Sequence, residues 1–335
     1  MIRLACLALL ALLLQEPAHA RVIEDATGRS VEIPDHVARV FPAGPPAAAL
    51  LYAVAPQVLL GWAHDAGAAS RGYIAEPYAS LPRLGALTGR AGEVDPQALA
   101  QLHPDLVLDT GTVSQRYIDL AAKTQSETGL PYILLDGGIT TLPRTIRQVG
   151  QVLGVETRAE ALAAYAERTL AEVHARVAAI PTDRRFRIYY GRGKDGLTTA
   201  GPGSIGAEFI EVLGLTNVAP ASGRQMYDAT PEQFVAWKPD VAVILGSEAA
   251  AAFSSDPRLR DLPAVRESRV LASPTVPFGW VDGPPSPSRL LALRWLGHAL
   301  YPAEFPDDIR AATREFYHLF YAVDLTDPML DELLR

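Results

Sequence analysis

The sequence predicts an α/β fold: two Rossmann-like lobes with parallel-type sheets, joined by one long rigid α-helix. Three observations carry this prediction. A helix–break–strand unit occurs twice, short apolar β runs alternate with helical segments in both halves, and one long amphipathic stretch separates the halves.

The repeat is explicit. The stretch from Asp95 to Leu108 (DPQALAQLHPDLVL) is matched by that from Thr230 to Val243 (TPEQFVAWKPDVAV). Each opens with a capping residue and a proline at the first helical position, where the missing N–H would have had no partner anyway. Each helix breaks at a second Pro-Asp and enters a continuous apolar run, as suits a strand covered on both faces of a parallel sheet. The strand candidates of the first half are Ala38 to Phe41, Val58 to Gly61, Leu106 to Leu108 and Tyr132 to Leu135. Those of the second are Phe186 to Tyr190, Val241 to Leu245 and Arg269 to Ala272. Alternation of strand and helix argues for parallel sheets with helices on both faces.

Between the halves, Leu162, Tyr165, Ala166, Thr169, Leu170, Val173, Val177 and Ile180 recur at three- and four-residue steps, so residues 157–180 form a helix with one apolar face. At 1.5 Å per residue it spans about 36 Å, enough to bridge two lobes. A single stiff connector leaves little hinge freedom, so modest closure is expected. The expected organisation is a signal segment over 1–20, an N-terminal lobe over 21–156, the helix over 157–180 and a C-terminal lobe over 181–335.

Composition narrows the function. Arg3, an apolar run from Leu4 to Leu14 and Ala18-His19-Ala20 read as a cleavable export signal. That run is too short to span a bilayer, which needs roughly 20 apolar residues. The single cysteine, Cys6, falls inside this segment, so the mature chain can form no disulfide and offers no thiolate. Net charge is −8 and no basic stripe appears, which argues against a nucleic-acid partner. The histidines show no spacing suited to a metal site, and neither a bare metal nor a cofactor is expected.

In open parallel sheets, ligands sit beyond the carboxyl ends of strands. The loops there are the candidate cleft. Arg192 follows a strand and can grip an anion in a fork. Lys194, Arg224 and Tyr227 lie in neighbouring loops of the second half. Trp280 sits in a Pro- and Gly-rich loop without helical or strand period, a setting in which an aromatic can stack on a ligand. Trp62, His64 and Tyr73 are the candidates of the first half, with the loop at Thr110 to Thr112 beside them. Trp237 and Trp295 stand at helical spacing and are expected in the core.

Gly201-Pro202-Gly203-Ser204-Ile205-Gly206 matches a dinucleotide fingerprint, but no convincing strand precedes it and Asp228 is not at a strand end. A tight turn, with Ser204 near a helix start as a weak anion site, is the better expectation. No nucleophile elbow, zinc motif or phosphate loop is present. Carboxylates such as Asp282 keep an enzyme acting in the same cleft as the rival class, and stoichiometric binding without turnover would exclude it.

Taken in order, these motifs resemble the periplasmic binding proteins of ABC importers for iron-siderophore, cobalamin and haem. The resemblance rests on the opening Arg21 to Pro34, both Pro-Asp units, and the ending Ser288 to Leu296 with Glu315 to Tyr321. Gly191 to Leu197 and Gly279 to Ser286 resemble a branch of metal-chelate and molybdate-type binders. The resemblance implies no catalysis, a monomer, and a cargo held between the lobes. An iron-siderophore is the leading cargo, with molybdate-like oxyanion, cobalamin or haem as alternatives. It also implies docking on an inner-membrane ABC permease through an acidic residue on each lobe. Glu232 matches in the second; in the first, Gln97 occupies the place and Glu93 stands one turn earlier.

Overall fold

The computed structural model describes residues 20–65, 67–89, 94–223 and 226–335. The expected signal segment with Cys6, and the candidates Glu93 and Arg224, lie outside them.

The chain opens with an antiparallel hairpin, β1 (Ala20–Glu24) and β2 (Ser30–Pro34). Strand β3 (Val40–Pro42) leads into α1 (Pro45–Val54), which starts on two prolines and is buried along nearly its whole length. Helix α2 (Pro96–Gln101) is capped by Asp95, whose carboxylate accepts from the Gln97 N–H at 3.0 Å. It runs into β4 (Leu106–Gly111), followed by α3 (Gln115–Thr128), β5 (Tyr132–Asp136) and α4 (Leu142–Leu153). The three strands form a parallel sheet in the order β3-β4-β5, pairing Val40 with Leu106 and Val107 with Tyr132.

Helix α5 (Glu156–Ala178) is the long connector, about 35 Å at 1.5 Å per residue. Its apolar face, including Leu162, Tyr165, Ala166 and Val173, is buried as the periodicity predicts.

The second lobe repeats the plan. Strand β6 (Arg187–Gly191) is followed by short β7 (Thr198–Thr199), α6 (Glu208–Val212), β8 (Thr216–Asn217) and short β9 (Tyr227–Asp228). Helix α7 (Pro231–Trp237) begins with a full capping box between Thr230 and Gln233. Then come β10 (Val241–Leu245), α8 (Ser247–Ser255), α9 (Pro263–Arg266) and β11 (Val270–Ser273). These make a parallel sheet in the order β11-β10-β6-β8.

Two expectations fail locally. Val58 to Gly61 is not a strand: Pro56 starts a 3-10 turn over Pro56–Val58, and only Leu59 bridges to Val40. Thr198–Thr199, read as too poor for a strand, pairs antiparallel with Tyr227–Asp228.

After β11 come α10 (Arg289–Leu300), α11 (Ile309–Phe316), a π turn over Tyr317–Tyr321 and α12 (Asp327–Leu333). This ending packs on the first lobe: the Tyr52 hydroxyl donates to the Tyr321 carbonyl at 2.7 Å, and Arg158 of the connector ties the two, donating to the Ala53 carbonyl at 2.8 Å and the Leu319 carbonyl at 3.4 Å. The lobes are also bolted at the back of their shared face. Arg289, 2 % exposed, donates to the Gly137 carbonyl of the first lobe and pairs with Glu208 of the second at 3.3 Å. Glu208 in turn accepts from the Ile139 N–H of the first lobe at 2.8 Å.

Candidate functional site

The carboxyl ends of the two sheets face each other across a cavity of about 180 Å³. The first lobe contributes Pro45 and Pro46, Thr88, the end of β4 from Asp109 to Thr112, and Tyr117. The second contributes Arg192, Ser204 to Gly206, Met226, Asp282 and Pro285.

Arg192 stands just past β6. Its Nη1 donates to Asp282 Oδ2 at 2.9 Å, which uses one of the five N–H donors of the fork, and its side chain is 35 % exposed at the cavity wall. Burial opposes its charge, but the Asp282 carboxylate outweighs that and raises its pKa. Asp282 is 2 % exposed and also accepts from the Tyr190 hydroxyl at 2.6 Å. Its other oxygen is buried with no hydrogen-bond partner among the described residues. Gly206 makes this packing possible, since a Cβ there would come within 2.9 Å of Asp282 Oδ2.

Across the cavity, Asp109 is 3 % exposed and its carboxylate accepts from the Tyr132 hydroxyl at 3.0 Å. Burial pushes its pKa up to about 7, against the hydrogen bonds from Tyr132 and the Thr110 backbone. The site therefore combines a cation with spare donors, a neutralised carboxylate, a carboxyl poised to carry a proton near neutrality, and the hydroxyls of Thr88, Thr110, Thr112, Tyr117 and Ser204.

The other sequence candidates scatter. Trp62 and His64 line a second cavity between the lobes, with Phe278 opposite. Trp280 is corrected: it is fully buried, its indole N–H donates to the Tyr317 hydroxyl at 3.2 Å, and its ring meets Trp295 edge-on, so it presents no face to a ligand. Tyr73 is corrected likewise, packed against Tyr317 with its hydroxyl on Glu332 at 3.3 Å. Lys194 is solvent-exposed and lines neither cavity. Tyr227 is half-buried, its hydroxyl donating to the Pro220 carbonyl at 2.9 Å. Its neighbour Met226 reaches the cavity instead.

The glycine-rich segment reaches the cavity through Ser204 to Gly206, but not as a helix-end anion site. Helix α6 has only five residues, its first turn carries Glu208 and Glu211, and Glu211 takes the Gly203 N–H at 2.9 Å. Thr88, Asp109, Tyr117 and Met226 line the cavity but escaped the sequence reading. Asp109 was read as part of a turn, although a charge closing a buried apolar run was a signal. Thr88 sits in an irregular loop with no periodicity to mark it.

No helix among the described residues is long and apolar enough to cross a membrane. The family described as "Periplasmic binding protein" matches residues 49–276. The molybdate-binding protein MolA of Haemophilus influenzae is 26 % identical, with 90 % of this chain and 91 % of that protein covered. An ABC transporter solute-binding protein from Sulfurospirillum deleyianum superposes with a TM-score of 0.84 at 25 % identity, covering 93 % of this chain and 98 % of its own. The molybdate-bound structure of Haemophilus influenzae MolA gives 0.77 at 22 % identity, over 91 % and 99 %. With its two parallel-sheet lobes, long connector and interlobe cavity, the chain belongs to the periplasmic binding protein family, as the solute-binding component of an ABC transporter.

Proposed function

We propose that this protein captures a compact oxyanion of the molybdate class between its lobes, in the periplasm, and delivers it to an ABC permease. The observation that carries this reading is Arg192, the one described cation in the cavity wall, which spends one donor of its fork on Asp282 and keeps others for a ligand. The cavity, about 180 Å³, accommodates a five-atom oxyanion, and through Gly111, Thr112, Ser204 and Ile205 it adjoins a wider opening of about 380 Å³. A single cation among hydroxyls suits a compact anion better than the large organic framework of a ferric siderophore. The siderophore is therefore the less favoured cargo. The likeness to the molybdate-binding protein of Haemophilus influenzae supports the same choice.

Charge selects as well as size. An incoming dianion favours the protonated form of Asp109, because the neutral carboxyl donates a hydrogen bond where the carboxylate repels. Asp109 titrates at about 7, so it holds its proton below that value and loses it above. Anion affinity should fall as pH rises through 7, approaching about tenfold per pH unit for uptake of one proton. Calorimetric titration with molybdate at pH 6 and pH 8, in buffers of different ionisation enthalpy, checks both claims. Saturable one-to-one binding, with proton uptake lost in Asp109→Asn, is the expected result. Absence of molybdate binding alongside saturable binding of a ferric siderophore would overturn the oxyanion reading.

For delivery, Glu232 is exposed on the first turn of α7, its pKa held down by the Thr230 hydroxyl. Glu232→Ala should leave oxyanion binding intact and lower uptake in cells. Unchanged uptake would remove it from the docking surface.

A further inference from the structure

The expected mature chain carries two sulfur atoms, in Met226 and Met329, because Met1 and Cys6 fall in the export segment. The two thioethers stand in different settings. Met329, on α12, is half-buried against the core and lines neither interlobe cavity. Met226 is also half-buried, but it lines the cavity into which Arg192 opens. Gly206, in the same wall, fixes where its sulfur lies. A Cβ on Gly206 would stand 3.7 Å from Met226 Sδ and 2.9 Å from Asp282 Oδ2, so sulfur and carboxylate flank one point of the wall. Arg192 donates to that same carboxylate oxygen at 2.9 Å.

A thioether is uncharged and accepts hydrogen bonds only weakly, so Met226 leaves the free donors of Arg192 to an anion. A sulfoxide is polar and chiral, and its oxygen is the negative end of the S–O bond. Beside this ion pair, Asp282 repels a further acceptor and Arg192 attracts one.

We propose that Met226 is a site of reversible oxidation by a hypohalous acid, and that its sulfoxide shuts the cavity to the anion. The inference rests on the oxyanion reading of the same cavity. The sulfur lone pair takes the chlorine of hypochlorous acid and hydroxide leaves. Water then displaces chloride from sulfur and gives up its protons. One thioether and one hypochlorous acid thus yield one sulfoxide, one chloride and one proton; sulfur loses two electrons and chlorine gains them. The new oxygen takes the Arg192 donors that the anion would use. A bound anion, seated against the same wall, shields the sulfur in return.

Graded hypochlorite treatment, read by peptide mass mapping and by molybdate calorimetry on the same samples, tests this. Saturating molybdate should slow oxidation of Met226 and leave that of Met329 unchanged. Complete oxidation of Met226 should weaken molybdate binding about tenfold or more, the scale of one hydrogen bond to a charged group. Reduction by methionine sulfoxide reductases of both epimer specificities should restore the affinity. Met226→Leu has no sulfur at this position, so its affinity, whatever its starting value, should be the same before and after treatment. Unchanged affinity with Met226 fully oxidised, or an equal loss in treated Met226→Leu, overturns the proposal. Oxidation of Met226 that is indifferent to molybdate overturns it too. Failure of the untreated protein to bind molybdate sinks the oxyanion reading and this inference together, whereas the other failures leave that reading standing.

Discussion

Arg192→Ala is expected to weaken molybdate binding by about 10- to 150-fold, the equivalent of the roughly 1.5–3 kcal/mol that a hydrogen bond to a charged group contributes. The guanidinium is the one described cation in the wall of the first cavity. Asp282 fixes its direction through a single 2.9 Å bond and leaves other donors of the fork for a ligand. Removing it also strands the Asp282 carboxylate with only the Tyr190 hydroxyl. Stability should therefore fall as well, by about 1–2 kcal/mol once solvent access to Arg192 is discounted. Asp282→Asn separates the two roles. It removes the compensating charge but keeps the side-chain shape, so anion affinity should stay level or rise. Titration calorimetry at pH 6.5, with thermal unfolding as the control for folding, reads both variants. Full affinity in a folded Arg192→Ala protein would take the oxyanion out of this cavity.

Trp280→Ala is expected to lower stability by about 3–5 kcal/mol, as for large aromatic truncations in a core. The indole is fully buried, edge-on to Trp295, with its N–H on Tyr317. Tyr317 donates onward to the Val276 carbonyl, so the truncation opens a void beneath a connected set of buried groups. At about 2–4 °C per kcal/mol for a domain of 150–250 residues, the melting temperature should drop by about 10 °C. Below that transition, molybdate affinity should match the unaltered protein. Trp280→Phe keeps most of the volume and should recover most of the loss. A stable Trp280→Ala protein with impaired binding would return this residue to the cleft.

These two residues mark where the sequence was legible and where it was not. Strand β10 was readable to the residue, because an uninterrupted Val-Ala-Val-Ile-Leu run after Pro-Asp has few other fates. The connector was readable because its apolar residues, from Leu162 to Ile180, repeat over about five turns. Arg192 could be placed at a strand end from chain position alone. Trp280 could not be placed. A loop rich in proline and glycine has no period, and a large aromatic in it serves a ligand or a core equally well until its neighbours are known. Those neighbours, Trp295 on α10 and Tyr317 on the π turn, follow 15 and 37 residues later on separate elements. Asp109 shows the complementary gap: its poise near neutrality depends on burial and on Tyr132, which the adjacent strand supplies.

The Arg289–Glu208 bolt has a kinetic consequence. Parting the lobes along that edge would strip a fully buried guanidinium of the Gly137 carbonyl and Glu208 of the Ile139 N–H. Unmade buried polar bonds cost about 1–3 kcal/mol each, more when charged. That edge of the molecule thus behaves as the spine of a book, and any parting of the halves is expected to begin away from it.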